Sequence, residues 1–141
     1  PVPLGIRQEE VMTRTGSCVC GQIAFSTKHD LRSVAACHCT QCRKATGHFA
    51  AAIPAPWDSI ALNGKVTWFA SSATGRRGFC DTYLFWEEGD GLTYIMAGSL
   101  DDETGLRMDG HIFYADRGDC YRASDGLPCF AAGRSGPEVA P

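Results

Sequence analysis

Three cysteines fall within six residues of this chain, Cys37, Cys39 and Cys42, in the spacing C-x-C-x-x-C. Thiols this close in sequence can converge on one soft metal ion without help from distant segments, and zinc is the first candidate. Three thiolates fill three of the four tetrahedral positions of zinc, and an open fourth position distinguishes a catalytic zinc from a structural one. The spacing therefore predicts a catalytic zinc site at these cysteines, which we call the triad.

The remaining cysteines divide into clustered and isolated ones. The chain has eight cysteines in 141 residues. In a reducing compartment, cysteines clustered at short spacings are better explained as metal ligands than as disulfides. Cys18 and Cys20 form a C-x-C between glycines, which suits a tight knuckle, and Cys80 follows a glycine in a second knuckle. Cys120 and Cys129 each stand alone, and for them a role as a small buried hydrophobic residue is an equal alternative.

The charge pattern limits which classes of binding partner are expected. Thirteen Lys and Arg against sixteen Asp and Glu give a net charge of -3, and no basic run occurs. We therefore expect no nucleic-acid or membrane partner. No apolar run approaches the roughly 20 residues of a spanning helix, and no secretion signal is visible, so we expect a cytoplasmic protein.

The hydrophobic pattern predicts a mainly β, antiparallel domain. Helical periodicity is nearly absent, apart from one turn ended by Gly47, and Pro54 and Pro56 are expected to end a strand. Glu87–Gly91 is typical of a hairpin turn. Short apolar runs bounded by turn residues predict strands at 22–26, 34–36, 49–53, 65–69, 83–86, 92–97 and 111–115.

We expect one domain over residues 16–133, built around the cysteine knuckles, with a flexible lead-in at 1–15 and a flexible tail at 134–141. Residues 57–62 read as a connector and residues 71–78 as a polar loop. The core is expected to be filled by aromatic side chains. These are Trp57, Trp68, Phe69, Phe85 and Trp86.

Four motifs, GSCVCG, CHCTQCRKATG, RRGFC and LFW, follow one another within residues 16–133, and DGLPCF closes the series. In order and spacing they resemble the glutathione-dependent formaldehyde-activating enzyme family, whose members share a zinc-binding β-tent fold. The resemblance implies a structural zinc held by Cys18, Cys20 and Cys80 and a catalytic zinc held by the triad. It also implies a carbon–sulfur lyase that adds formaldehyde to the thiol of glutathione.

The chain departs from the family pattern after Cys80. The family has a second cysteine there, followed by glycine, before its Leu-Phe-Trp, and this chain has none. One explanation is that a short piece is absent between Thr82 and Tyr83, which we favour at this stage. The other is that the ligand has been replaced, and the nearest chemical substitutes are Asp81, Cys120 and Cys129.

Basic residues beside the clusters can meet the carboxylates of a peptide-like thiol, although surface Arg and Lys are more often simply solvated. The candidates are Arg43, Lys44, Arg76 and Arg77.

Three histidines are candidates for a role at the site. His38 lies in sequence between Cys37 and Cys39, so we expect its imidazole to point away from the metal, and a packed histidine is favoured over an acid or base. His48 is near enough in sequence to line the site. His111 lies on a predicted strand, where a structural role is the default.

Other functions remain compatible with the sequence, because a family resemblance predicts a metal site better than it predicts a substrate. One alternative is a relative that acts on another small carbonyl or on an imine. Another is a non-catalytic zinc-stabilised binding module, which predicts four protein ligands for every zinc. A thiol redox protein would use Cys39 and Cys42, but the additional Cys37 favours metal binding.

Overall fold

The computed structural model describes residues 12–141. Among these residues, strands make up 38% and helices 12%, which confirms the mainly β prediction. In this part of the chain the strands are β1 Arg14–Ser17, β2 Ala24–Thr27, β3 Val34–Cys37, β4 Ala50–Pro56, β5 Ile60–Asn63, β6 Thr67–Ala70, β7 Arg76–Phe79, β8 Tyr83–Glu87, β9 Leu92–Met96 and β10 Met108–Ile112. The α-helix is α1 Thr40–Thr46, and 3-10 turns lie at Trp57–Ser59, Ala97–Ser99 and Tyr114–Asp116.

The strands form two sheets. The small sheet has the order β1-β2-β5, and the large sheet has the order β10-β3-β4-β9-β8-β7-β6. Neighbouring strands are antiparallel except that β10 runs parallel to β3. Since Ile112 pairs with Cys37, β10 and β3 end side by side at the start of the triad.

Strand β4 corrects one expectation about proline. Pro54 does not end this strand, which continues as far as Pro56, and both prolines pair with β9. Pairing of β4 with β3 stops at Ala52, so one edge of β4 is free beyond that residue. The N–H of Trp57 bonds to the β9 side, at Gly91 O, so the alternating residues 54 and 56 direct their nitrogens to the free edge. A missing N–H there costs no ladder bond.

Three strands, β1, β5 and β7, lie where none was predicted. β5 begins within the expected connector at 57–62, and β7 overlaps the end of the expected polar loop at 71–78. β7 pairs with β6 on one side and with β8 on the other, in the centre of a series of hairpins. This pairing outweighs the low strand preference expected from its polar sequence Arg-Arg-Gly-Phe. The hairpin predicted at Glu87–Gly91 is confirmed by the antiparallel pairing of β8 with β9.

The ends of the chain bear on the expected domain limits. Residues 1–11 lie outside the described residues, while Arg14 and Thr15 already pair in β1. Near the other end, the N–H of Val139 donates to Cys129 O and that of Ala131 donates to Pro137 O. The division into lead-in, domain and tail stays a prediction.

The main core lies around Phe85, which is fully buried. Its ring packs against Phe25 at 5.0 Å and against Trp57 at 5.5 Å between centroids. Trp68 is half-buried against the same cluster. Phe69 was expected in the core but is 54% exposed, because it alternates with Trp68 along β6 and faces outward.

Over residues 12–141, none of the helices is long and apolar enough to cross a membrane.

Candidate metal centres

The triad is assembled at the junction between a strand and a helix. Cys37 is the last residue of β3, Cys39 is the N-cap of α1, and Cys42 lies in its first turn. The Cys39 sulfur accepts a hydrogen bond from the backbone N–H of Cys42 at 3.3 Å, as a capping side chain does. Gly47 ends the helix in the left-handed conformation, with φ of 79°, which a glycine adopts without strain. These local signals bring three sulfur atoms within 4.8 Å of one another.

The three sulfur atoms are electrostatically coupled. Hydrogen bonds from the thiols of Cys37 and Cys42 lower the pKa of Cys39 to about 2. The contact with Cys39 raises the pKa of Cys37 to about 11, and the contacts with Cys37 and Cys39 raise the pKa of Cys42. One thiol of the triad therefore ionises readily, and the other two resist ionisation unless a cation replaces their protons. A metal ion does so when it binds thiolates.

The donor geometry fits zinc. Zinc–sulfur bonds of about 2.3 Å in a tetrahedron place neighbouring sulfur atoms about 3.8 Å apart, and the three triad sulfur atoms, all within 4.8 Å of one another, are close enough to share one ion. Among residues 12–141, no further Cys, His, Asp or Glu joins the triad within 4.8 Å. The set can thus supply three protein ligands to a zinc ion, and the fourth position of that ion would be left for another molecule.

The second cluster joins the two sheets. The sulfur of Cys20 lies 3.4 Å from that of Cys18 and 3.4 Å from that of Cys80. The backbone N–H of Ile23 donates to the Cys18 sulfur at 3.2 Å. Although burial opposes ionisation, this bond and the neighbouring thiols lower the pKa of Cys18. A carboxylate oxygen of Asp81 completes the group, which we call the Cys18 cluster.

The turn between β7 and β8 supplies the fourth donor of the Cys18 cluster. Phe79 pairs with Tyr83, and the N–H of Cys80 donates to Thr82 O, so three residues close the turn. The Thr82 hydroxyl donates to Asp81 Oδ1 and accepts from the N–H of Val19. This turn places a carboxylate beside the three thiols, so Asp81 is the one of the three proposed substitutes that lies in the cluster. The other two substitutes, Cys120 and Cys129, lie in neither cluster. The absence of a short piece between Thr82 and Tyr83 stays a prediction.

Comparison with known families agrees with this arrangement. The profile described as "Glutathione-dependent formaldehyde-activating enzyme" matches residues 13–116, which include both clusters. The chain belongs to this family. Members are described as activating formaldehyde with glutathione, and two cysteine-rich groups that can hold metal ions are consistent with zinc in this member. None of the curated proteins matches the chain.

The imidazole of His38 points away from the triad, as expected. His38 is 1% exposed, and its ring packs against Phe49 and Tyr114 at 5.0 Å between centroids. Burial lowers the pKa of His38 to about 4, and the neighbouring His111 adds to this effect. His48 is exposed, and its ring packs against Tyr121 at 4.2 Å. His38 and His111 therefore form a buried polar pair behind the triad.

The four basic candidates separate clearly. Arg76 is committed to Glu87 at 2.9 Å and stacks on Trp68. Lys44 is exposed on the surface of α1, and Arg43 turns toward Gly118, where its Nε is buried. Only Arg77 reaches the triad helix from another strand, with Nη2 donating to Gln41 Oε1 at 3.3 Å.

Sequence reasoning missed the apolar patch beside the triad. Ala50, Ala52 and Met96 form a small buried cluster, and Cys42 and Tyr83 pack against it. Burial and then the charge of Cys42 raise the pKa of Tyr83, which keeps its phenolic proton. A tyrosine in a strand carries no sequence signal for this position, because the contact depends on the pairing of β8, β9 and β4.

The Asp81→Ala substitution tests the fourth donor of the Cys18 cluster. Removing one of four ligands weakens the site, and we expect zinc release to a chelator to accelerate on the order of tenfold or more. The measurement is made in a Cys39→Ser background, which removes the triad as a source of zinc. Asp58→Ala, an exposed aspartate outside both clusters, is the matched control. Equal release rates in the two variants would exclude Asp81 as a ligand.

Proposed function

We propose that this family member is a zinc-dependent carbon–sulfur lyase that adds an aldehyde, with formaldehyde as the first candidate, to a thiol such as glutathione. The observation that carries the proposal is the difference between the two clusters. The Cys18 cluster offers four donors, whereas the triad offers three, beside an apolar patch and a basic side chain. In this proposal the Cys18 cluster holds a structural zinc, and Cys37, Cys39 and Cys42 hold the catalytic one.

The chemistry needs no external oxidant or reductant. The thiol sulfur forms a bond to the carbonyl carbon, the π pair of the carbonyl moves to its oxygen, and the proton lost from the thiol ends on that oxygen. When bound at the triad, zinc supplies Lewis acidity and favours the ionised form of a thiol. The product is an S-hydroxymethyl thioether, and the same steps in reverse release the aldehyde.

The residues around the triad position the reactants. Ala50, Ala52 and Met96 provide an apolar floor that excludes water from a small aldehyde. Tyr83, which keeps its proton, adds a hydroxyl donor on the same side as Cys42. Holding both reactants against this floor converts a bimolecular addition into a step within one complex.

Arg77 is suited to anchor the carboxylate of the thiol. It is half-buried, and its guanidinium lies 5.6 Å from the centroid of the Tyr83 ring and 5.7 Å from that of Phe69. Its Nε is buried without a hydrogen-bond partner, and none of the salt bridges among residues 12–141 involves it. A buried donor without a partner costs free energy, and a substrate carboxylate would satisfy it with a charge-assisted hydrogen bond.

The Cys39→Ser substitution tests the catalytic role of the triad. We expect catalysed exchange between formaldehyde and glutathione, measured by exchange NMR above the spontaneous rate, to fall to background while the fold is retained. Cys120→Ser, an exposed cysteine in neither cluster, should leave the rate unchanged. Retained activity in Cys39→Ser would contradict the proposal.

Arg77→Gln tests the carboxylate anchor, with its neighbour Arg76→Gln as the control. A charge-assisted hydrogen bond contributes about 1.5–3 kcal/mol, so we expect the KM for glutathione to rise at least about tenfold. The rise should be much smaller for 2-mercaptoethanol, which has no carboxylate. An equal rise for both thiols, or an equal effect of Arg76→Gln, would remove Arg77 from this role.

A further inference from the structure

A chain of four hydrogen-bonded side chains lies behind the triad. Nδ1 of His38 lies 2.6 Å from the Tyr121 hydroxyl, and Nε2 of His38 lies 2.9 Å from Nδ1 of His111. Nε2 of His111 in turn lies 2.9 Å from a carboxylate oxygen of Asp125. Both ring nitrogens of both histidines are thus satisfied, although His38 and His111 are almost fully buried.

The hydrogen bonds in this chain run in one direction. The carboxylate of Asp125 can only accept, so Nε2 of His111 carries its hydrogen. With one ring proton on each imidazole, Nδ1 of His111 accepts from Nε2 of His38. Nδ1 of His38 then accepts from the Tyr121 hydroxyl. The two outer residues therefore select the tautomer and the ring orientation of both histidines.

The two outer residues come from a segment beyond the family match. The match ends at residue 116, whereas Tyr121 and Asp125 follow it. This segment is attached to β10 by backbone hydrogen bonds, since His111 N donates to Pro128 O and Phe130 N donates to His111 O. The family-matched part of the chain thus contributes the histidine pair, and the following segment contributes both groups that hold it.

His38 transmits this restraint to the triad because Cys37 and Cys39 are its direct neighbours. Its backbone N–H donates to Ile112 O at 2.9 Å, and its ring is enclosed by Phe49, Tyr114 and Tyr121. A ring held by hydrogen bonds at both nitrogens and by packing on several sides also restrains the Cα atom of its own residue. One peptide unit on each side joins this Cα atom to Cys37 and Cys39, so the restraint extends to the backbone that carries two of the three triad sulfur atoms.

We propose that Tyr121 and Asp125 are positioning residues that fix the His38–His111 pair and thereby hold Cys37 and Cys39 in place for metal binding. The segment after the family-matched region is then part of the metal centre. The inference rests on the proposed occupation of the triad by zinc, but it concerns metal retention and not the aldehyde chemistry.

The test is the rate of zinc release from the zinc-loaded protein to a chromogenic chelator. The phase that belongs to the triad is the one absent from Cys39→Ser, and the phase of the Cys18 cluster is an internal reference. Tyr121→Phe removes only a hydroxyl, and Asp125→Ala removes the acceptor of His111. Asp125→Asn keeps an acceptor oxygen at this position, and Asp119→Ala is an exposed control in the same segment.

We expect the triad phase to accelerate on the order of tenfold in Tyr121→Phe and in Asp125→Ala, the size expected for loss of an outer-shell partner. Asp125→Asn should restore most of the wild-type rate, and Asp119→Ala should match it. If Asp125→Ala does not fold, Tyr121→Phe decides alone. An unchanged triad phase, or an equal acceleration of both phases, would overturn the inference.

The outcomes separate this inference from the proposed function. If the variants release zinc from the triad faster but the wild-type protein catalyses no aldehyde–thiol exchange, the inference stands and the lyase proposal is removed. An active wild-type protein with no effect in the variants would do the reverse. A wild-type protein without a triad phase would overturn both.

Discussion

Cys20 lies between β1 and β2 of the small sheet, and Cys80 lies in the turn between β7 and β8 of the large sheet. They are 60 residues apart in sequence, yet their sulfur atoms lie 3.4 Å apart. Sulfur atoms this close repel one another as they ionise, so the arrangement is favourable only when protons or a metal ion lie between them. The two sheets meet at this point, since the β1–β2 knuckle contacts the β7–β8 turn there. A metal ion bound by these cysteines would therefore fix the placement of the two sheets relative to each other at this point.

The two clusters are both built mainly from cysteine, but they differ in the number of donors that they offer to a metal ion. In the Cys18 cluster, Thr82 directs Asp81 toward the three thiols and makes a four-donor set. In the triad, Cys42 packs with Tyr83 against an apolar patch, and the Arg77 guanidinium lies 5.6 Å from the centroid of the Tyr83 ring. A saturated site stabilises a fold, whereas a site with an open position can accept a substrate. In the proposed function, this contrast gives one domain a structural and a catalytic use of cysteine.

The triad could be predicted from the sequence because its three ligands are local. Cys39 and Cys42 are set by a helix cap, and Cys37 ends the preceding strand. The partnership of Cys80 with Cys20 needed the family resemblance, because spacing carries no information across 60 residues. Asp81, Cys120 and Cys129 were chemically equivalent substitutes, and only the three-residue turn distinguishes Asp81. The contact between His38 and Tyr121 spans 83 residues and had no signal in the pattern.

The most direct test of the account is the visible spectrum of the cobalt(II)-substituted protein as glutathione is added. A triad with an open position should take up the thiol, so the ligand-field and sulfur-to-cobalt charge-transfer bands should change and saturate with glutathione concentration. The cobalt-loaded Cys39→Ser variant, which retains only the Cys18 cluster, should show no such change. A wild-type spectrum that stays constant on addition of glutathione would mean that the triad metal is already saturated, and it would contradict the account.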